Sequence, residues 1–245
     1  MGLLDGKIAL VTGAGRGIGS AIARLFDSEG ATVGVHYYKS APAAEQIAKE
    51  IGGAAFQADL TDSTQAETLV ESVLARWGRI DILVNNAASF TQGSLFAEDN
   101  WESYRSEMDG VFGATFHVTR AAVPHMIAAG RGRIVNFGAT LLHRPIERSG
   151  PHIAAKSAVV GLTRVLATEL GPHGITVNIV HPGMTLTDFS QSLPQSRRDQ
   201  VAKRTPLRRL AEPDDVARVV LFLASDLAGF VSGAGIAPDG GLAVM

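Results

Sequence analysis

Residues 12 to 19 read Thr-Gly-Ala-Gly-Arg-Gly-Ile-Gly, set between an apolar run, Lys7 to Val11, and a helical pattern that opens at Ile18. This is the spacing a main chain needs to turn sharply and then lie against a phosphate. Gly13 permits the tight exit from the strand, Gly17 lets the backbone approach a pyrophosphate, and Gly19 lets the helix sit close to the sheet. The free N–H groups and positive dipole end of that helix then face the anion. A glycine pattern alone is weak, and the strand–turn–helix setting raises its specificity. The second strand pattern runs out through Val35-His36-Tyr37-Tyr38-Lys39-Ser40, with no acid of the kind that binds a ribose 2′-hydroxyl. Lys39 and Ser40, helped by Arg16, offer partners to a 2′-phosphate instead. The reading is a dinucleotide site favouring NADP(H), with NAD(H) possible. The alternative for Arg16 and Lys39 is that they are ordinary surface cations.

A second pair with chemistry is His152 and Lys156, four residues apart in a helical pattern, so both side chains share one face. Imidazole exchanges protons near neutrality and serves general acid–base work. An ammonium beside it disfavours the imidazolium, so His152 is expected to be a better base than acid. Between Ala139 and His152 lie His143, Arg144, Glu147 and Arg148. Arg144 or Arg148 would suit a substrate carboxylate or phosphate, and surface placement is the alternative. His181 is expected to be a packed structural histidine, with a place facing the pocket as the alternative.

These residues need elements to hold them, and the apolar periodicity supplies them. Strands are expected at Lys7–Val11, Thr32–Val35, Ala54–Ala58, Ile80–Val84, Arg133–Phe137, Thr176–Val180 and Gly235–Ala237. Between them come helices at Ile18–Ser28 and Ala43–Ile51, and one carrying Leu69, Val73 and Trp77. A long helix follows over about Trp101 to Ala129, then His152–Leu170 and Glu212–Ala224. Apolar strands alternating with helices imply an α/β, doubly wound (Rossmann-type) parallel sheet with helices on both faces. Residues 1–245 read as a single dinucleotide-binding domain with no linker or repeat. The polar stretch Met184 to Arg209 is expected to be a substrate lid over 184–209, with a solvated surface helix pair as the alternative.

Composition narrows the function classes. Of 245 residues, 46% are hydrophobic and 19% charged, a globular balance. Twenty-two Lys+Arg against 24 Asp+Glu leave a net charge of -2, so no basic field is available for nucleic acid. Zero cysteines exclude disulfides and thiolate metal sites, and no metal is expected. The opening residues lack a signal-peptide pattern, and no apolar run is long enough to span a bilayer. A cytoplasmic protein with a small-molecule substrate and no membrane partner is the expectation.

The glycine spacing resembles that of the short-chain dehydrogenase/reductase family, and further segments extend the resemblance over nearly the whole chain. Asp59-Leu60 looks like the family's adenine contact, and Asn85-Asn86-Ala87-Ala88 resembles its Asn-Asn-Ala-Gly motif. Asn178 precedes Pro182-Gly183-Met184-Thr185-Leu186-Thr187, which resembles the Pro-Gly-x-x-x-Thr segment along the nicotinamide, and Asp239-Gly240-Gly241 resembles the C-terminal Asp-Gly-Gly. The resemblance implies a seven-stranded sheet and a homotetramer or homodimer. It implies a dinucleotide held by Gly13, Gly15, Arg16, Gly17, Ile18 and Gly19. Tyr37, Lys39, Ser40, Asp59 and Leu60 serve its adenosine half. Asn86, Ala87, Lys156, Pro182, Gly183, Thr185 and Thr187 serve the rest.

The family's chemistry uses a tyrosine, a lysine four residues later, a serine and an asparagine. Only the lysine, Lys156, is kept. The tyrosine position is His152, the serine position Ala139, with Thr140 adjacent, and an ungapped count puts the asparagine position at Val111, with Asp109 two residues earlier. The expected activity is an NADP(H)-dependent oxidoreductase with His152 and Lys156 as catalytic residues. The alternative is a catalytically degenerate cofactor-binding protein or inactive partner subunit, and a lyase or isomerase using His152 as base ranks last. The substrate pocket is expected along Phe90, Ala139, Leu141, His152, Met184 and Phe189 to Leu193.

Overall fold

The computed structural model describes residues 2–89 and 93–243. Seven strands, β1 (Ile8–Val11), β2 (Thr32–Tyr37), β3 (Ala54–Gln57), β4 (Ile82–Asn85), β5 (Gly132–Phe137), β6 (Ile175–Val180) and β7 (Gly235–Ile236), form one sheet. Its order is β3-β2-β1-β4-β5-β6-β7. Every pairing is parallel. The order reverses at β1, where β2 lies on one side and β4 on the other, and the cleft at such a switch point is where α/β sheets bind ligands.

The strands read as continuous apolar runs because both faces are covered. Along β1, Ala9 and Val11 face the layer made by α1 (Gly17–Ser28), α2 (Ala41–Glu50) and α9 (Pro213–Ala224), with Ile22, Phe26 and Val220 packed there. Ile8 and Leu10 face the opposite layer, with Leu69 and Val73 of α3 (Ser63–Trp77) and Val118 and Met126 of α5 (Ala114–Ala129). β4 repeats the alternation, with Ile82 and Val84 on the first face and Leu83 on the second. A period of two thus sorts one apolar run into two cores.

Helix ends follow local chemistry. Asp62 caps α3 by accepting from the Thr64 and Gln65 N–H groups, and Gly78 closes it in the left-handed conformation. In α9, Glu212 and Asp215 form a reciprocal cap with Pro213 in the first turn.

One expectation needs correction. The helix expected over Trp101 to Ala129 is interrupted: α4 (Trp101–Glu107) passes into a π-helical turn, Met108–Gly113, before α5 begins. Gly110 lies inside that turn, where a Cβ would meet Ser89 Oγ at 2.2 Å. Apolar spacing does not report such a turn, because the residues on either side stay helical. The 184–209 stretch holds two helices, α7 (Asp188–Gln191) and α8 (Gln195–Arg204), and Thr185 pairs with Ala211. The helix after β5 is α6 (Gly150–Leu170), which starts two residues before His152.

Gly19 sets how closely α1 approaches the sheet, since a Cβ there would lie 2.4 Å from Gly13 O and 2.6 Å from Asn86 Nδ2. Gly19→Ala is therefore expected to destabilise the fold by about 1–3 kcal/mol, read as a lower urea midpoint with unchanged m-value. An unchanged midpoint would show that the loop has room the geometry denies.

Candidate active site

The C-terminal ends of β1, β2 and β4 open onto a cleft of about 640 Å³. Gly13, Gly15, Arg16, Gly17, Ile18 and Gly19 form one wall. Tyr37, Lys39 and Ser40 follow from β2, Asn86 and Ala87 from β4, and Thr187 closes the far side. The glycine turn is held from two directions. Asn86 Nδ2 donates to Thr12 O at 2.9 Å and Gly13 O at 3.2 Å, and Thr12 Oγ1 accepts the Ala87 N–H at 2.9 Å. On the other side the Gly13 N–H donates to His36 Nδ1 at 3.1 Å, and His36 Nε2 meets Ala58 O at 3.1 Å. Only the neutral ring with its hydrogen on Nε2 satisfies both contacts. Burial pushes His36 down to about 4, so that form holds at neutral pH.

The residues fit a dinucleotide on three counts. Gly17 has φ +55°, and its hydrogen faces Thr187, where a Cβ would sit 3.2 Å from Cγ2. No side chain caps α1, whose cap position is Arg16, and its first turn carries no acid. That leaves first-turn N–H groups and a positive dipole end for an anion. No acid ends β2; Lys39 Nζ lies 4.8 Å above the Tyr38 ring, and the Tyr38 hydroxyl bonds Asp59.

The remaining residues expected to hold cofactor stand beside the cleft rather than in its walls. Asp59 accepts from Thr61 N–H at 3.0 Å and Thr61 Oγ1 at 2.7 Å. Leu60 is buried, with its carbonyl 3.0 Å from His117 Nδ1. The Pro182 carbonyl receives the Thr140 N–H, Gly183 packs on Asp239, and buried Thr185 donates to Gly183 O at 3.1 Å.

Proton chemistry gathers at the end of β5 and the first turn of α6. Lys156 is buried and donates from Nζ to Phe137 O at 2.8 Å. Burial pulls it down to about 8, against the opposing attraction of Glu107. His152, also buried, places Nδ1 2.6 Å from Glu107 Oε1, and Ser89 Oγ donates to Glu107 Oε2 at 3.2 Å. Glu107, 0% exposed, is the last residue of α4. A buried carboxylate thus faces the imidazole directly, in addition to the lysine four residues on. Sequence reading missed Glu107 and weighed Asp109 instead. The available signal was register, since Glu107 lies four residues before Val111 and shares its face.

The other positions resolve as follows. Val111 is buried in the π-helical turn, and its carbonyl takes the Thr115 hydroxyl at 2.8 Å. Ala139 brings no donor. Thr140 Oγ1 turns to His181 O at 3.0 Å. His181 is packed between Gly138 and Gly235 and pushed down to about 4 by burial and by the charges of His143, Lys156 and Arg164. Arg144 donates to Leu242 O at 2.9 Å, while Arg148 is exposed with a left-handed φ of 64°. Of the expected substrate pocket, Ala139, Leu141 and Met184 are half-buried, Phe189 lines the glycine cleft, and Phe90 lies outside the described residues. No group of three or more metal-ligating side chains occurs among the described residues. No helix among them is long and apolar enough to cross a membrane.

Known proteins resemble the chain along its length. A family model described as Enoyl-(Acyl carrier protein) reductase matches residues 13–243. The 3-oxoacyl-(acyl-carrier-protein) reductase FabG of Thermotoga maritima is 37% identical over 246 residues, covering 98% of this chain and 99% of the relative. The enzyme of the same name from Haemophilus influenzae is 37% identical over 241 residues, covering 98% and 99%. A solved mutant of a Serratia marcescens short-chain dehydrogenase/reductase aligns with TM-score 0.91 at 35% identity, covering 98% of this chain and 99% of that one.

The His36 contacts carry a pH signature. Its folded value lies below the ordinary 6.5, so the unfolded chain binds more protons between pH 6.5 and about 4. Stability is full above that window and falls as pH drops through it. His36→Asn should flatten this acid limb by up to about 1.4 kcal/mol per pH unit, measured by urea unfolding across pH 4 to 7. A limb of unchanged slope would mean His36 is not held neutral.

Proposed function

This chain is an oxidoreductase of the short-chain dehydrogenase/reductase family, and from that premise we propose an NADP(H)-dependent enzyme with His152 in the tyrosine's place. Its substrate is a small molecule of the 3-oxoacyl thioester class named for its relatives, interconverted with the 3-hydroxy compound. The observation that carries the reading is the buried Glu107–His152 contact at 2.6 Å beside buried Lys156. A disused site would not need to keep two ionisable groups and an ammonium out of water, since such burial is costly without function or pairing.

When bound, the nicotinamide supplies the hydride donor or acceptor. The chain's own residues do the rest. Gly15, Gly17, Ile18 and Gly19 would hold the pyrophosphate with main-chain N–H groups, and Gly13, whose N–H is taken by His36, would shape the turn that presents them. Arg16, Lys39 and Ser40 would hold the 2′-phosphate, and Tyr37, Asp59 and Leu60 the adenosine. Asn86, Ala87, Pro182, Gly183, Thr185 and Thr187 would border the nicotinamide half. Lys156 would hold the ribose, and His152 would exchange a proton with the substrate oxygen. Ala139 cannot hydrogen-bond that oxygen, so a simple ketone lacking other polar groups should react slowly.

The whole chain acts as one dinucleotide-binding domain, with 184–209 as a lid that excludes water. A cytoplasmic location belongs to the same reading. Homo-oligomerisation is supported by exposed apolar side chains, Phe116 and Val165 on α5 and α6, and Leu227 and Phe230 after α9. Light scattering is expected to give the mass of two or four chains, and a monomer at micromolar concentration would remove this part of the reading.

The activity test is NADPH oxidation with a 3-oxobutanoyl thioester. Turnover is expected with NADPH, with a KM for NADH at least tenfold higher. Lys39→Ala and Arg16→Ala should each raise the NADPH KM by about 10–100-fold, the size of a charge-assisted hydrogen bond, and leave the NADH value unchanged. Equal use of both nucleotides would reject the 2′-phosphate site. No turnover with either, in either direction, would reject the proposed reaction.

A further inference from the structure

We infer that Glu107, a residue outside the family's four, is the positioning residue that fixes His152 for proton exchange at Nε2. The inference rests on the function proposed above and specifies how its altered centre works.

The Glu107 carboxylate is fully buried, with Oε1 on His152 Nδ1 at 2.6 Å and Oε2 accepting from Ser89 Oγ at 3.2 Å. An ionised carboxylate only accepts hydrogen bonds, so its partner Nδ1 must carry the hydrogen, and Nε2 becomes the acceptor nitrogen. A carboxylate in this position also stabilises the imidazolium that forms when Nε2 takes a proton. The same carboxylate also attracts the buried Lys156 ammonium.

Local structure supports the assignment independently. The π-helical turn Met108–Gly113 starts directly after Glu107, and such turns often mark functional sites. Gly110 in that turn lets Ser89 approach, since a Cβ there would overlap Ser89 Oγ. Gly150, at the start of α6, makes the matching close approach to Tyr104 of α4, where a Cβ would lie 2.4 Å from the hydroxyl. Two glycines and one non-standard turn thus bring the end of α4 against the start of α6, where Glu107 and His152 meet.

In the oxidation direction the balance is simple. The substrate O–H bond breaks and its proton goes to His152 Nε2. The adjacent C–H bond breaks, its hydrogen leaves as hydride to NADP⁺, and the C=O π bond forms. The alcohol is oxidised, the nucleotide is reduced, and the proton then leaves His152 for solvent. Reduction is the reverse, with the imidazolium as donor.

The test uses Glu107→Gln, whose amide keeps the size but can donate to Nδ1 and so set the opposite tautomer. With NADP⁺ and a 3-hydroxybutanoyl thioester, kcat should fall about 10³-fold or more, while both KM values change less than about threefold. Glu107→Asp, which keeps the charge, should recover part of the loss. A readout free of turnover is the proton NMR signal of a carboxylate-bound imidazole N–H, expected far downfield in wild type and absent from both Glu107→Gln and His152→Asn. Wild-type kcat in Glu107→Gln, or a downfield signal that persists in it, would overturn the inference while leaving the proposed function intact. A wild-type chain that is inert with both thioesters yet shows the Glu107-dependent signal would overturn the proposed function and leave the tautomer assignment standing.

Discussion

Everything at the cleft end of the molecule depends on how closely the main chain of the first β–α turn can lie against its neighbours. The Gly13 amide is bound by His36 from β2, and its carbonyl is bound by Asn86 from the end of β4. Gly19 then has no room for a side chain against that same carbonyl. Three strands therefore converge on one turn, and the turn cannot shift without breaking contacts to two of them. This convergence makes the order reversal at β1 a site rather than a mere crossover, because the cleft opens where the two neighbouring connections diverge.

A second concentration of constraint lies where β5 ends and α6 begins. Lys156 reaches back to the Phe137 carbonyl, His152 meets Glu107, and Ser89 donates to the same carboxylate. Ionisable groups removed from water are tolerated only when each is paired. Here the pairing spans three parts of the chain: the loop after β4, the end of α4 and the first turn of α6. Rigidity follows from that spread, since no one segment can move without stranding a buried charge. Glu107, Ser89, His152 and Lys156 thus form one buried polar set beside the end of β5.

Much of the fold was legible because its signals are local and periodic. Apolar runs bounded by glycine marked the strands within a residue or two, and Ile22, Leu69 and Val73 marked the helix faces. The π-helical turn was not legible, since a one-residue widening leaves the neighbouring apolar positions in place. At the site, the glycine turn, Lys39 and the His152–Lys156 spacing could be read directly, each being a short-range pattern. His36 looked like an ordinary strand residue, and Glu107 like a polar residue inside one long helix. Neither carries a spacing cue to its partner, which lies 23 residues away for His36 and 45 for Glu107.

By itself the amino-acid sequence determined the alternation of elements, the glycine turn between the first strand and the first helix, and the family. These follow from residue type and short spacing, which operate before the chain is compact. Only the tertiary structure decided that a carboxylate from α4 meets the imidazole of α6, and that a histidine from β2 holds the glycine turn in one protonation state. Those contacts join residues distant in the chain, and they exist because packing excludes water around them, which no local pattern records.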